Sequence, residues 1–137
     1  GQLRPVRGVV DALDALDAAG IPSCVASSGD HERIRRGLRA AGLLDRFPDA
    51  AIFSVEDVAH GKPAPDLFLH AAERMGFAPA DTVVVEDSAA GVQAGVAAGM
   101  RVLGYAPDGN DQSALRAAGA EPFGEMTDLP SLLAEKA

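Results

Sequence analysis

Two neighbouring carboxylates, Glu86 and Asp87, directly follow an apolar run that begins at Val83. Adjacent like charges repel, so a chain that places them at the end of a buried strand needs an opposite charge nearby. Carboxylate oxygens are ligands that hard divalent cations such as Mg2+ favour. The pair therefore predicts a magnesium site, with one simpler alternative, in which Asp87 only caps the helix that begins at Ser88.

Two further polar groups have the chemistry to bind phosphate. Ser27 and Ser28 form a tight turn with Gly29, and the hydroxyls and backbone N–H groups of such a turn can hold phosphate oxygens. Lys62 lies in a loop between a glycine and a proline and can neutralise those oxygens. Each has a plainer interpretation, since serines favour turns and most lysines are solvated. In combination with the acidic pair they indicate a phosphoryl-transfer site.

The elements that must position these residues alternate along the chain. Apolar spacing and capping residues predict helices over 6–19, 30–41, 66–75, 88–98, 111–118 and 129–135. Strands are predicted over 23–27, 50–54, 82–86, 101–105 and 121–123. This alternation predicts a single α/β domain over residues 1–137, a Rossmann-like doubly wound parallel sheet with right-handed crossovers. Sites in such sheets form at the carboxyl ends of the strands, where the candidate residues would meet.

Charge and composition exclude several classes of partner. The 20 acidic and 12 basic side chains give a formal net charge of -8, which disfavours binding to nucleic acid or to an anionic membrane. No apolar run approaches the roughly 20 residues of a membrane helix. The one cysteine, Cys24, excludes an internal disulfide and a cysteine-based zinc site, and it indicates a reducing, cytoplasmic location. Its apolar neighbours predict a small core residue.

The glycines and histidines do not form a familiar ligand motif. Gly91, Gly95 and Gly99 are spaced GxxxGxxxG, whereas a dinucleotide fingerprint needs GxGxxG. They predict a small-residue face that lets the helix approach the sheet, with Gly99 ending the helix. The three histidines share no metal-ligand spacing and are predicted at the surface, with His31 near enough to the Ser27 turn to contact a substrate.

The segments VASSG, GKPAPDLF and VVVEDSAAGVQAGVAAGM, in this order, resemble the haloacid dehalogenase (HAD) superfamily. The similarity covers essentially the whole chain and is strongest to the phosphoglycolate phosphatase and β-phosphoglucomutase-like branch. It implies an Mg2+-dependent phosphatase or phosphomutase of small phosphorylated metabolites. In that family's terms, Ser27 and the amide of Ser28 bind phosphate, Lys62 ties the phosphoryl group to a nucleophilic carboxylate, and Asp87 with Glu86 holds Mg2+.

One family feature is missing from these residues. The family's nucleophile and general acid/base are two aspartates in a D-x-D motif on an N-terminal strand, and no two aspartates here have that spacing. The chain begins where similar proteins leave their cap domain, so the resemblance implies that the central nucleophile strand and the cap are absent. We therefore expect this chain to be inactive alone, with its open central slot filled by rearrangement, by a homo-oligomer or by a strand-donating partner.

Two other functions compete with the enzyme. A non-catalytic phosphate- and metal-binding remnant, or interaction module, would be stabilised by phosphate or Mg2+ without turnover. A phosphoacceptor receiver domain is disfavoured because it places its acidic pair first and its lysine last, which is the reverse of the order here. The substrate could be phosphoglycolate, a sugar phosphate or a nucleotide, since in this family the cap selects it.

Overall fold

The structure is a computed structural model and describes residues 7–107 and 112–135. Its helices are α1 (Val9–Ala18), α2 (His31–Ala40), α3 (Asp66–Met75), α4 (Ala89–Ala97), α5 (Gln112–Ala118) and α6 (Leu129–Ala134). Its strands are β1 (Val25–Ser27), β2 (Ile52–Ser54), β3 (Val83–Glu86), β4 (Arg101–Tyr105) and β5 (Glu121–Phe123). The predicted alternation is confirmed to within a few residues at each end, and the predicted helix starts at Val6 and Asp111 lie outside the described residues.

The strands form two parallel sheets in the part of the chain that the structure describes. β1 pairs with β2, with Ser27 opposite Ser54. β3, β4 and β5 pair in that order, with Glu86 opposite Gly104. Within 7–107 and 112–135, the remaining edges of β1 and β3 have no partner strand. Each of the two sheets therefore ends in an edge whose backbone groups are free to pair.

Helices cover both faces of the sheets, which confirms the doubly wound α/β fold. On one face α3, α4 and α5 pack around Val84 and Val102. On the other face α1 and α6 pack around Leu103, and α2 packs around Ile52. The adjacent residues Val102 and Leu103 belong to opposite clusters because successive strand side chains point to opposite faces. None of the described helices has the length and apolar character needed to cross a bilayer.

The order in which the chain adds strands changes side at the gap between β1 and β3. From β1 the chain passes through α2 to β2, and α2 packs on the same face as α1. From β3 it passes through α4 and α5 to β4 and β5, and these helices pack on the opposite face. Ligands of open α/β sheets bind outside the carboxyl ends of the strands at such a switch point. A ligand site is therefore expected at the carboxyl ends of β1 and β3.

Helix α4 approaches the sheet closely through its glycines. A Cβ atom on Gly95 would lie 2.5 Å from Cγ2 of Val102, a distance that packed carbon atoms do not reach. Gly99 follows the end of α4 with a φ of 79°, the left-handed conformation that glycine adopts at least cost. The predicted small-residue face and the predicted glycine stop are both confirmed.

Candidate phosphate and metal site

Lys62 joins the two sheets at their carboxyl edge. Its ammonium Nζ lies 2.5 Å from Oε2 of Glu86, at the end of β3, and 3.5 Å from the backbone oxygen of Ala26 in β1. The same atom lies 5.1 Å from the ring centre of Phe68 in α3. The side chains of Lys62 and Glu86 are only 12% and 11% exposed, so water screens their attraction weakly. Two of the predicted site residues are thereby in direct contact.

This ion pair explains how the chain tolerates two adjacent carboxylates. The Lys62 ammonium offsets the charge of Glu86, whereas Asp87 is exposed and makes no hydrogen bond or ion pair to the described residues. The N-cap of α4 is Ser88, whose Oγ accepts a hydrogen bond of 3.1 Å from the N–H of Gly91. The alternative in which Asp87 caps this helix is therefore wrong. Its carboxylate is left as an accessible oxygen donor.

The glycine at position 91 makes room for the Glu86 side chain. A Cβ atom there would overlap Cδ and Oε1 of Glu86. The carboxylate of Glu86 is thus held between Gly91 and Lys62, and its Oε1 lies 3.3 Å from Oγ of Ser88. The spacing of glutamate, serine and glycine in the sequence EDSAAG consequently has a steric reason as well as a chemical one.

The donor chemistry of Glu86 and Asp87 fits a magnesium ion. Mg2+ commonly keeps several waters and takes one or two protein carboxylates together with phosphate oxygens. Among the described residues, no group of three or more His, Cys, Asp or Glu side chains is placed to hold a metal by itself. Mg2+ bound by these two carboxylates would therefore need further oxygen ligands, of which water and phosphate oxygens are the usual ones. The exposed Asp87 is the more available of the two.

The Ser27 turn lies at the end of β1, beside the point that Lys62 reaches. Oγ of Ser27 accepts a hydrogen bond of 3.2 Å from the N–H of Gly29, which is the turn-forming role that the plainer interpretation gave it. The hydroxyl hydrogen remains available to donate to a ligand. Ser27 is half-buried and Ser28 is exposed. The two roles, turn former and phosphate donor, are therefore compatible.

Sequence reasoning missed the polar residues at the end of β2. Ser54 is completely buried, and its Oγ donates a hydrogen bond of 2.7 Å to the backbone oxygen of Gly29. Nε2 of His31 lies 2.8 Å from Oδ1 of Asp57, so this histidine is half-buried and paired, not an open surface residue. The hydrogen bond from His31 lowers the pKa of Asp57 below its ordinary value. The strand-end rule that selected Ser27 also applies to Ser54.

An apolar cavity of about 480 Å3 lies beneath this polar edge, between β1 and β3. Residues from both unpaired strand edges and from the helices on either side line it, among them Leu13, Cys24, Ala26, Phe68, Val83 and Val85. Burial raises the pKa of the Cys24 thiol, which packs beside Phe53 and Leu67 as a small apolar side chain, as predicted. The switch point thus has a polar rim and an apolar interior.

Comparison with known proteins identifies relatives over most of the chain. The family model for haloacid dehalogenase-like hydrolases matches residues 1–99. A 6-phosphogluconate phosphatase of Escherichia coli (strain K12) is 31% identical over 131 residues, covering 96% of this chain and 57% of that protein. A β-phosphoglucomutase of Mycobacterium bovis is 39% identical over 127 residues, covering 88% and 47%. The chain therefore spans about half the length of these curated relatives.

A solved structure with the same fold supports this relationship. A HAD family hydrolase from Deinococcus radiodurans, crystallised with bound phosphate and sodium, matches with a TM-score of 0.87 and 35% identity. The match covers 94% of this chain and 58% of that one. The resemblance seen in the sequence motifs is confirmed by the family match, by the relatives and by the fold. This chain belongs to the haloacid dehalogenase-like hydrolase family.

Proposed function

We propose that the complete protein is an Mg2+-dependent phosphoryl-transfer hydrolase, either a phosphatase or a phosphomutase. The observation that carries the proposal is Lys62, whose ammonium contacts Ala26 in β1 and Glu86 in β3 at the switch point. The names of the relatives, 6-phosphogluconate phosphatase and β-phosphoglucomutase, support a small phosphorylated metabolite, and among these a sugar phosphate, as the substrate.

Each site residue has a defined task in this proposal. The Ser27 hydroxyl and the Ser28 amide donate hydrogen bonds to phosphoryl oxygens, and the Lys62 ammonium neutralises their charge. Asp87, with Glu86, holds Mg2+, which when bound supplies further positive charge to the phosphoryl group. Donors fixed before the substrate arrives stabilise the developing charge without reorganising. Ser54 and Lys62 fix the two strand ends that carry these donors.

The nucleophile in this proposal comes from outside the present sequence. By the family resemblance, an aspartate oxygen forms a bond to phosphorus while the bond from phosphorus to the leaving alcohol oxygen breaks, and that oxygen takes up a proton. Water or a second hydroxyl then attacks the aspartyl phosphate and releases the aspartate. Because this sequence has no D-x-D pair, we propose that the chain is inactive alone.

We further propose that a parallel β-strand carrying this nucleophile occupies the cavity between β1 and β3. Both free edges belong to parallel sheets, so one strand could pair with both and end at the polar rim. It would also cover apolar side chains that are now open to solvent, including Val85 at 39% and Phe77 at 42% exposure. A strand-donating partner supplies such a strand, and a homo-oligomer is the competing arrangement.

Hydrolysis of p-nitrophenyl phosphate in the presence of Mg2+ tests these proposals. The purified chain should show no turnover, and adding a peptide that carries a D-x-D strand should produce turnover that Asp87→Asn and a chelator abolish. A peptide with asparagines in place of both aspartates serves as the matched control. Turnover without any peptide would place the nucleophile in this chain and overturn its inactivity. A monodisperse, cooperatively unfolding monomer that ignores the peptide would overturn the strand proposal.

The alternative function is a non-catalytic phosphate- and metal-binding module. The ion pair between Lys62 and Glu86 favours it, because these two groups meet through residues of this sequence alone. In that case phosphate and Mg2+ would raise the melting temperature of the chain, because ligands of the native state stabilise it. Turnover would remain absent with every strand peptide, whereas any peptide-dependent turnover would exclude this alternative.

We also propose that the protein works in the cytoplasm. The support is that this sequence has a single cysteine, Cys24, and so no internal disulfide within these residues, which suits a reducing compartment. Fractionation of cells that produce the full-length protein would test this location, and recovery in a secreted or membrane fraction would contradict it.

A further inference from the structure

Hydrogen bonds made by Ser54 and His31 join the turn after β1 to the turn after β2. Oγ of Ser54 donates to the backbone oxygen of Gly29 at 2.7 Å. The backbone N–H of His31 donates to Oε1 of Glu56 at 2.8 Å. Nε2 of His31 lies 2.8 Å and 2.9 Å from the two carboxylate oxygens of Asp57. We call these contacts the turn lock.

The β2 side of the turn lock is itself held rigidly. The carboxylate of Asp57 accepts a second hydrogen bond of 2.8 Å from the N–H of Ser54, and Oγ of Ser54 accepts one of 3.0 Å from the N–H of Glu56. These reciprocal bonds form a capping box at the 3-10 turn Val55–Asp57. Because Ser54 is completely buried, its hydroxyl has no water to compete for these contacts. Asp57 is therefore a fixed acceptor for the His31 ring.

The β1 side of the turn lock contains the proposed phosphate donors. The N–H of Gly29 donates to Oγ of Ser27, while the carbonyl of the same glycine accepts from Ser54. Ser28, whose amide is a proposed phosphate donor, lies between Ser27 and Gly29 in the sequence. His31 begins α2 immediately after the turn, and its ring contacts Asp57 across 26 residues of sequence. If His31 moved away from Asp57, the Ser27 turn would lose one of the contacts that hold it to β2.

The ring of His31 makes its known contacts through one nitrogen. Nε2 faces the Asp57 carboxylate, so it must carry the proton that the contact shares. Nδ1 is buried and has no hydrogen-bond partner among the described residues. The hydrogen bond from His31 also lowers the pKa of Asp57, so the acceptor stays charged to a lower pH than an ordinary aspartate would. A glutamine side chain, whose amide nitrogen reaches about as far as Nε2 of histidine, could donate in place of this contact.

We propose that His31, with Asp57 and Ser54 behind it, is a positioning residue that fixes the Ser27 hydroxyl and the Ser28 amide for a phosphate group. The proposal rests on the proposed function, since it takes the Ser27 turn as the phosphate site. Hydrogen-bond donors that are held in place before binding lose less entropy on binding than mobile ones. A contact that served only the global stability of the fold would, when removed, speed amide exchange in both sheets.

The test measures binding of inorganic phosphate to the 15N-labelled chain through the amide shifts of Ser28 and Gly29. His31→Ala should weaken phosphate binding by about tenfold. His31→Gln, which keeps a donor for Asp57, should restore binding to within about threefold. The matched control is Arg35→Ala, which removes another ion pair of α2, the exposed contact with Asp49 at 3.0 Å. It should leave phosphate binding unchanged.

Amide hydrogen exchange in the same samples separates positioning from simple stability. His31→Ala should speed exchange at Gly29, whose N–H donates to Oγ of Ser27, far more than at Val102 in β4, and Ser54→Ala should do the same if the histidine variant folds poorly. Equal acceleration at both places, or failure of His31→Gln to restore slow exchange, would overturn it. If neither the wild-type chain nor Ser27→Ala shows phosphate-dependent shifts, the proposed phosphate site is wrong. The exchange rates then test only whether the turn lock holds the Ser27 turn.

Discussion

The two sheets of the molecule differ in how their strands are held. In the three-stranded sheet, β4 has hydrogen-bonded neighbours on both edges, and its residues Val102 and Leu103 are 3% and 0% exposed. In the two-stranded sheet, β1 has one neighbour, and all of its residues are only half-buried. The acidic pair therefore follows an edge strand, β3, that is backed by the buried central strand β4, whereas the Ser27 turn depends on the turn lock and on Lys62. Local stability should fall from the first sheet to the second.

Matched valine truncations should show this difference most strongly. Val102→Ala removes two methyl groups from a closed core and should lower the free energy of unfolding by about 2 to 3 kcal/mol. Val85→Ala, at the free edge of β3 with 39% exposure, should lower it by less than about 1 kcal/mol. Urea denaturation of both variants measures the contrast. Equal losses would mean that the edge of β3 is as closely packed as the centre of its sheet.

Removing the bridge between the sheets should have the next largest effect. Lys62→Met leaves the Glu86 carboxylate without its partner at a site where it is 11% exposed, and should lower the free energy of unfolding by about 2 kcal/mol. The control is Arg36→Met, which breaks an exposed helical pair with Glu32 and should change stability by at most about 0.5 kcal/mol. Similar losses in the two variants would show that the Lys62 contact contributes no more to stability than an exposed ion pair.

A methyl group at position 91 should disturb the same contact from the other side. Gly91→Ala forces the Glu86 side chain to move and should cost about 1 kcal/mol, although alanine favours a helix. Its effect should be less than additive with Lys62→Met, because both changes break one ion pair. Gly95→Ala clashes with Val102 instead, so its effect should add to that of Lys62→Met. Chemical denaturation of the single and double variants gives both coupling energies.

The smallest effect should come from an ion pair on the outer side of the three-stranded sheet. Arg101 donates to both carboxylate oxygens of Glu121, at 2.7 Å and 3.0 Å, and this contact lowers the pKa of Glu121 below its ordinary value. The stability that it contributes is complete above the unfolded-state pKa and is lost as the pH falls through the folded-state pKa. Because Glu121 is half exposed, Glu121→Gln should cost no more than about 0.5 kcal/mol near neutral pH.

The measurement for this pair is the difference in unfolding free energy between the wild-type chain and Glu121→Gln as the pH is lowered. The difference should shrink towards zero in acid. It should not change when a strand peptide fills the cavity, since Arg101 and Glu121 lie on β4 and β5. If the difference in unfolding free energy grew as the pH fell, the predicted pH dependence of the Arg101–Glu121 contribution would be wrong.

Much of the fold follows from local features of the sequence. Apolar residues repeat at helical or strand spacing, and residues such as Asp30 and Gly99 mark where helices begin and end. Parallel strands bring their carboxyl ends to one edge, so the sequence also predicted that Lys62 and the acidic pair would lie near Ser27. The elements could be predicted because periodicity and caps depend on neighbours within a few residues. The approximate place of the site could be predicted because all parallel strands end at the same edge.

Other properties were decided only by the tertiary structure. The partner of Glu86 is Lys62, 24 residues away, and the partner of His31 is Asp57, 26 residues away. Local periodicity does not encode which side chains meet across two sheets, because that depends on the twist and separation of the strands. The sequence alone determined the elements and the donors at the switch point. The packed sheets determined that Asp87 is the accessible carboxylate and that Ser27 is held by β2.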